Sequence, residues 1–207
     1  MGRDKLWIEV SGRPLLGWTL QALAAAARVD HLTVVAPRPH WDEVRGLAAC
    51  GAWTVAVCEG GDRRQDSVRA GLEATPPADV VAVHDAARPA VTARLLGAVV
   101  DAAREHGAAT AAVPVVDSMT RVDATGAVVE TVPRAGLWAV QTPQAFAAGL
   151  LLEAHARAVA DAVEADDDAA LVARLGHRVQ VVEGDRANLK ITHDDDLAAF
   201  TSRLAAR

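Results

Sequence analysis

Between Pro14 and Val113 short apolar, often β-branched runs alternate with amphipathic stretches, and this rhythm restricts the fold more than any other feature of the chain. Pro14 to Ala27 places Leu15, Leu16, Leu20 and Leu23 on one helical face, with a proline near its start. His31–Ala36 reads as a strand, Pro39–Ala49 as a helix and Trp53–Cys58 as a second strand. Glu59-Gly60-Gly61 is a glycine turn feeding a helix that runs to about Ala74. Val80–Val83 is a strand, Thr92–His106 a helix and Ala108–Val113 another strand. Strands separated by helices of about 10–15 residues build βαβ units with right-handed crossovers, hence an α/β domain on a mostly parallel sheet.

Val80-Val81-Ala82-Val83 has turn chemistry at both ends and reads as a buried strand of that parallel sheet. At its carboxyl end stands His84-Asp85-Ala86-Ala87-Arg88-Pro89. In open α/β sheets this end of a strand is where ligands bind. An acid and a guanidinium placed there can hold a metal-bound phosphate and a second anion. A plainer reading is equally open, in which Asp85 caps a turn and Arg88 pairs with it.

The alternation breaks after Val115. Arg121–Val129 reads as a hairpin turning at Asp123–Gly126, within a polar, β-rich stretch over about 115–134. A lone two-stranded hairpin is marginal in water, so it needs the domain body or a second chain to pack on. It is expected to project as an arm and to make a dimer contact. Trp138–Gln141 should return to the sheet, with Thr142-Pro143-Gln144 leading into a long helix from about Ala145 to Val163. Asp166-Asp167-Asp168 reads as a helix start, where acids suit the macrodipole, rather than as a metal site. Val179–Glu183, a turn at Gly184-Asp185, the segment Asn188–Thr192 and a helix from Asp194 close the chain.

The 207 residues suit a single domain, 1–207, with the arm as an appendage. A net charge of −6 argues against a general nucleic-acid binder, and no apolar run approaches the roughly 20 residues of a membrane span. Met1-Gly2-Arg3-Asp4-Lys5 lacks the apolar segment of a signal peptide, so the cytoplasm is the expected compartment. Cys50 and Cys58 have no second pair or His cluster for a zinc site and read as reduced thiols, one of them in strand core. Of 21 basic residues only Lys5 and Lys190 are lysine. In so Arg-biased a chain, these two are candidates for positions where a compact, rotatable ammonium is needed and a planar fork will not serve, the alternative being chance survival of the bias.

Seven pieces stand in one order along the chain: Asp4-Lys5-Leu6; Gly60-Gly61-Asp62 with Arg64 and Asp66-Ser67-Val68; His84–Pro89; Asp117-Ser118-Met119; Arg134 with Gly136-Leu137-Trp138; Thr142-Pro143-Gln144; and Asn188–Thr192. In these the chain resembles the 2-C-methyl-D-erythritol 4-phosphate cytidylyltransferase family. The resemblance implies a three-layer, Rossmann-like nucleotidyltransferase fold with helices on both faces of the sheet. It implies the reaction of CTP with methylerythritol 4-phosphate to give the CDP-alcohol and pyrophosphate, with Mg²⁺ bound mainly through the CTP phosphates and Asp85 contacting either methylerythritol hydroxyls or the metal. Lys5 and Lys190 fall on the two catalytic lysine positions, Lys5 at the triphosphate and Lys190 between the α-phosphate and the acceptor. Gly60, Gly61, Asp62, Arg64, Ser67 and Ala86 fall in the nucleotide pocket. Asp85, Arg88, Ser118, Arg134 and Thr142 fall on the acceptor side, some of them across a homodimer. Ser118 stands where the family often has Thr.

The family's opening apolar strand and glycine-rich loop have no counterpart here, and Met1–Lys5 resembles only the end of that loop. Either further residues precede Met1, which is the expectation, or the chain folds around the gap and binds CTP weakly. The nearest alternative activity is transfer to another polyol phosphate such as ribitol 5-phosphate. The alternative of another class is a non-catalytic nucleotide-binding homologue. A dinucleotide-type dehydrogenase is excluded by the lack of G-x-G-x-x-G between a first strand and helix.

Overall fold

A computed structural model describes residues 3–26 and 29–205. A 3₁₀ turn, Arg3–Trp7, leads into the short hairpin β1 (Glu9–Val10) and β2 (Arg13–Pro14). Helix α1 (Leu15–Ala24), β3 (His31–Val35), α2 (Trp41–Ala48), β4 (Thr54–Cys58) and α3 (Arg64–Ala74) follow. Next come β5 (Val80–Val83), α4 (Ala93–His106) and β6 (Ala108–Pro114). The arm is β7 (Met119–Val122) with β8 (Val128–Val132), and β9 (Trp138–Ala147) re-enters the sheet. Helices α5 (Ala148–Ala160) and α6 (Asp168–Arg174), strand β10 (Gln180–Glu183) and α7 (Asp194–Ala205) complete the order. The helix expected over 14–27 ends at Ala24, and residue 27 of that expectation lies outside the described ones.

The main sheet has four strands in the order β10-β6-β9-β5. β10 runs parallel to β6, and β9 runs antiparallel to both β6 and β5, so β9 alone is reversed. β3 and β4 form a separate parallel pair. Side chains alternate across the main sheet as a pleat requires. Ala109, Ala111, Ala145 and Val80 face α4 through Leu95, Val99 and Ala103. Ala108, Phe146, Val81 and Val83 face α3, α5 and α6 through Leu72, Leu151, Ala154 and Val172. Burying a side chain such as Phe146 or Leu151, both 0 % exposed, contributes about 1.5–3 kcal/mol. Alanines on β6 let α4 approach closely, which is how so Ala-rich a chain still packs a dry interior.

Between the two sheets the connection is made by side chains. Leu16 and Leu20 of α1 pack on Val34 and Ala36, with Ala86 against the same cluster. Thr19 Oγ1 donates to the Ala86 carbonyl at 2.7 Å. On α3, Thr75 and Thr33 share a hydroxyl bond at 2.8 Å, while Leu72 reaches the cluster around Val81 and Val83.

Two sequence expectations are corrected. Val80–Val83 is not a buried strand between parallel neighbours: among the described residues it ends its sheet, pairs antiparallel with β9, and leaves Ala82 exposed. The long helix does not begin at Ala145, because the strand opening at Trp138 continues to Ala147 through a cis Thr142–Pro143 bond. Ala145 and Phe146 pair with β5 and β6 on both sides, and a buried Ala-rich strand has no periodicity to separate it from a helix. Of the thiols, Cys50 is exposed and Cys58 is half-buried at the end of β4, where burial raises its pKa and Glu73 adds to the effect.

Candidate functional site

β5 ends at Val83, and the next six residues fold over the carboxyl end of the sheet. The Arg88 amide donates to the Asp85 carbonyl at 3.0 Å, closing a turn that brings the Arg88 side chain back to Asp85. Arg88 Nε lies 3.2 Å from Asp85 Oδ2, Lys190 Nζ 3.3 Å from the same oxygen, and Arg64 Nε 3.6 Å from Oδ1. One carboxylate is thus faced by three cations, from β5's own turn, from α3 and from the segment before α7. The plain reading, in which Arg88 pairs with Asp85, is correct, and the pair belongs to this larger group. Burial pushes the Asp85 carboxyl up, but Lys190, Arg64 and Arg88 outweigh it and hold the carboxyl below its ordinary range.

Thr142 and Asn188 fix the frame behind this carboxylate. The Asp85 amide donates to Thr142 Oγ1 at 2.9 Å, and that hydroxyl also meets His84 Nδ1 at 3.1 Å. His84 Nε2 lies 3.1 Å from the Arg88 carbonyl, and desolvation lowers the imidazole to about 4, only partly countered by that carbonyl. Asn188, 0 % exposed, donates through Nδ2 to the Thr142 carbonyl at 2.8 Å, while its own carbonyl receives Arg88 Nη1 at 2.8 Å. The Ile191 amide donates to the Ala87 carbonyl at 2.8 Å, locking the Lys190 segment to the β5 turn. Neither His84 nor Asn188 is among the sequence candidates. For Asn188, the clue was its place two residues before a rare lysine.

Lys5 stands on a segment packed against that of Lys190. Leu6 and Ile191 share one apolar cluster, and Lys5 acts electrostatically on Asp196. Asp196 in turn accepts the Thr192 and His193 amides, both at 2.8 Å. The two lysines, far apart in sequence, therefore sit on packed neighbouring segments.

Beyond β4, the glycine turn is compact. The Gly61 amide donates to Ser67 Oγ at 3.2 Å, and a Cβ on Gly60 would lie 2.7 Å from that oxygen. A Cβ on Gly61 would come within 2.4 Å of Asp66 Cβ, so only glycine fits. Asp62 is exposed at the mouth of the turn, whereas Ser67 is engaged inside it, donating to the Arg63 carbonyl at 3.1 Å. Ala86 is half-buried, its carbonyl held by Thr19. Ser118 and Arg134 lie exposed at the root of the arm, where Arg134 donates to the Val116 carbonyl. Among the described residues, no hydrogen bond or ion pair joins either of them to the Asp85 group.

Asp167 caps α6 through the Ala170 amide at 2.8 Å, as a helix-start reading expects. Asp168 does something the sequence does not announce. It is 0 % exposed, with Oδ2 2.9 Å from Arg64 Nη2 and Oδ1 2.9 Å from His155 Nε2. A cavity of about 500 Å³ lies elsewhere, between α1 and α2, lined by residues including Arg13, Gln21 and Cys50, and it holds none of the sequence candidates.

Cations gathered on one acid at the carboxyl end of a strand, with a glycine turn that opens a helix, are the arrangement of an α/β protein suited to a phosphate-bearing ligand. The model of the family IspD, 2-C-methyl-D-erythritol 4-phosphate cytidylyltransferase, matches residues 1–205. A Deinococcus radiodurans protein of that name is 45% identical over 194 residues, 94% of this chain and 79% of its own. The bifunctional enzyme IspD/IspF of Desulforudis audaxviator is 46% identical over 200 residues, 95% of this chain; the chain spans about half, 51%, of that relative. The crystal structure of the Thermus thermophilus cytidylyltransferase superposes with a TM-score of 0.85 at 39% identity, covering 100% of this chain and 96% of the other. The chain belongs to the 2-C-methyl-D-erythritol 4-phosphate cytidylyltransferase family.

Proposed function

We propose that this chain transfers the cytidylyl group of CTP to 2-C-methyl-D-erythritol 4-phosphate, releasing pyrophosphate, in isoprenoid precursor biosynthesis. An acceptor phosphate oxygen attacks the α-phosphorus, and the bond from that phosphorus to the bridging oxygen of the pyrophosphate breaks. Little covalent work falls to the protein; alignment and charge stabilisation carry the rate. The observation that carries the reading is the Lys190–Asp85–Arg88 arrangement: an ammonium held by one carboxylate at the sheet's carboxyl end, with 42 % of its side chain still open to a ligand.

In this reading Lys190 lies between the α-phosphate and the acceptor, and Lys5 meets the triphosphate. The Gly60-Gly61-Asp62 turn takes the cytidine side together with Ser67 and Ala86, and Arg64 reaches in from α3. Asp85, Arg88 and Thr142 shape the acceptor side, which Ser118 and Arg134 complete from the arm of a second copy. The donor set suits Mg²⁺ carried mainly by the nucleotide, since Asp85 is a single carboxylate already engaged by cations. When bound, Mg²⁺ would neutralise charge on the triphosphate. A homodimer through the arm fits its exposed Val122, Val128 and Val129, at 53%, 63% and 57%. We place the enzyme in the cytoplasm as a single domain; no helix among the described residues is long and apolar enough to cross a membrane.

The test is pyrophosphate release by the full-length protein from CTP with methylerythritol 4-phosphate and with ribitol 5-phosphate, side by side. Turnover is expected with the first acceptor, and Lys190→Arg should lower kcat by about 100-fold while leaving the fold intact, because charge remains but its geometry changes. Preference for ribitol 5-phosphate, or ordinary rates in the variant, would overturn the reading.

A further inference from the structure

Behind the site runs a line of polar side chains that the reaction itself does not call on. His155 of α5 and Asp168 of α6 are 2 % and 0 % exposed, in a mostly apolar layer that also buries Gln65 and Gln144. Nε2 of His155 meets Asp168 Oδ1 at 2.9 Å, while its Nδ1 has no partner. The Asp168 carboxylate can only accept, so Nε2 carries a hydrogen and donates to it. Asp168 Oδ2 then takes Arg64 Nη2 at 2.9 Å, and Arg64 turns its Nε toward Asp85 at 3.6 Å. The Ala169 amide donates to Gln144 Oε1 at 3.1 Å, which pins the start of α6 to β9 and so fixes where the Asp168 carboxylate stands.

A buried carboxylate without a cation would be costly, so this one has to keep Arg64. Arg64 has the opposite freedom. Its side chain is 32% exposed, and the half-buried Asp85 competes for the same guanidinium. Without Asp168 the fork would swing fully onto Asp85, pairing with the carboxylate that Lys190 and Arg88 also use.

We propose that Asp168, backed by His155, is a positioning residue: it holds the Arg64 guanidinium away from a closed pair with Asp85 and presents it to the nucleotide. This rests on the cytidylyltransferase reading for its kinetic consequence, but not for its geometry. Supporting side chains of this kind decide whether a contacting group stands within a fraction of an ångström of its productive place.

The experiment is a double-mutant cycle on the full-length enzyme with Asp168→Asn and Arg64→Ala, joined by an NMR measurement on the Arg64 Nε–H group. Asp168→Asn is expected to raise KM for CTP about tenfold with kcat within about twofold, the size typical of removing an outer-shell support. The same change in the Arg64→Ala background should do nothing further, because a support matters only while its arm is present. His155→Gln, which keeps a donor toward Asp168 and spares the carboxylate, is expected to move KM in the same direction by less, and it serves where Asp168→Asn does not fold. The Arg64 Nε–H resonance should be sharp and slowly exchanging in the wild type and averaged in Asp168→Asn, whether or not the protein turns over CTP. An inactive wild type with that resonance behaviour would sink the functional reading alone. Equal KM increases with and without Arg64, or an Arg64 resonance indifferent to both substitutions, would overturn the positioning role.

Discussion

Asp85→Asn is the most informative single perturbation, because it keeps the shape of the side chain and removes the charge that three cations face. Taking one partner from a fully buried ion pair costs about 3–5 kcal/mol. Here the carboxylate side chain is 14 % exposed, and two of its three partners keep another acceptor: Arg88 on the Asn188 carbonyl at 2.8 Å and Arg64 on Asp168 at 2.9 Å. Lys190, at 42 % exposure, is returned to water. Only part of the buried-pair cost therefore applies, and we expect a loss of about 1–3 kcal/mol at pH 7. Its pH dependence has a definite sign. The folded carboxyl lies below the ordinary 3.8, so its contribution is complete above that value and disappears as pH falls through the lowered one. Urea unfolding of both proteins from pH 7 to pH 3 should show a gap that is constant down to about pH 4 and narrows below it. Equal stabilities at pH 7, or a gap that does not narrow in acid, would mean that the charge is not what the three cations respond to.

His84 gives a second pH signature. Its imidazole titrates near 4 in the fold against an ordinary 6.5, so stability is fully present above pH 6.5 and declines between 6.5 and 4, by at most about 3 kcal/mol. A His84→Gln variant should flatten that slope in urea titrations, and an unaltered slope would assign it to other groups. For the arm, Val128→Asp, at a side chain 63 % exposed in the single chain, should leave the circular dichroism spectrum unchanged while halving the mass seen by analytical ultracentrifugation. An unchanged mass would remove the arm from the interface.

What could be read from residues alone divides along physical lines. Periodicity found α4 to within a residue, since Thr92 caps it through the Leu95 amide and Gly107, at φ +85, ends it. The hairpin declared itself by turn chemistry, Asp123 Oδ1 gathering the Thr125 and Ala127 amides. β9 misled because Ala145-Phe146-Ala147 is as good a helix as a strand until its two neighbours are known. At the site, rarity pointed to Lys5 and Lys190, and strand-end position pointed to Asp85 and Arg88. Asp168 stayed hidden because Asp167 beside it satisfies the helix-start reading, and nothing local announces a partner 104 residues away.

Helix α3 touches both the strand pair and the quartet. The glycine turn hangs from β4 in the pair, and Asp85 hangs from β5 in the quartet. The packing of α3, with the Thr19–Ala86 bond, helps set the distance between that turn and Asp85. A helix with one foot on each sheet acts as a caliper. The separation of turn and acid is then inherited in part from the packing of Leu72, Thr75 and Gly71, residues that belong to neither.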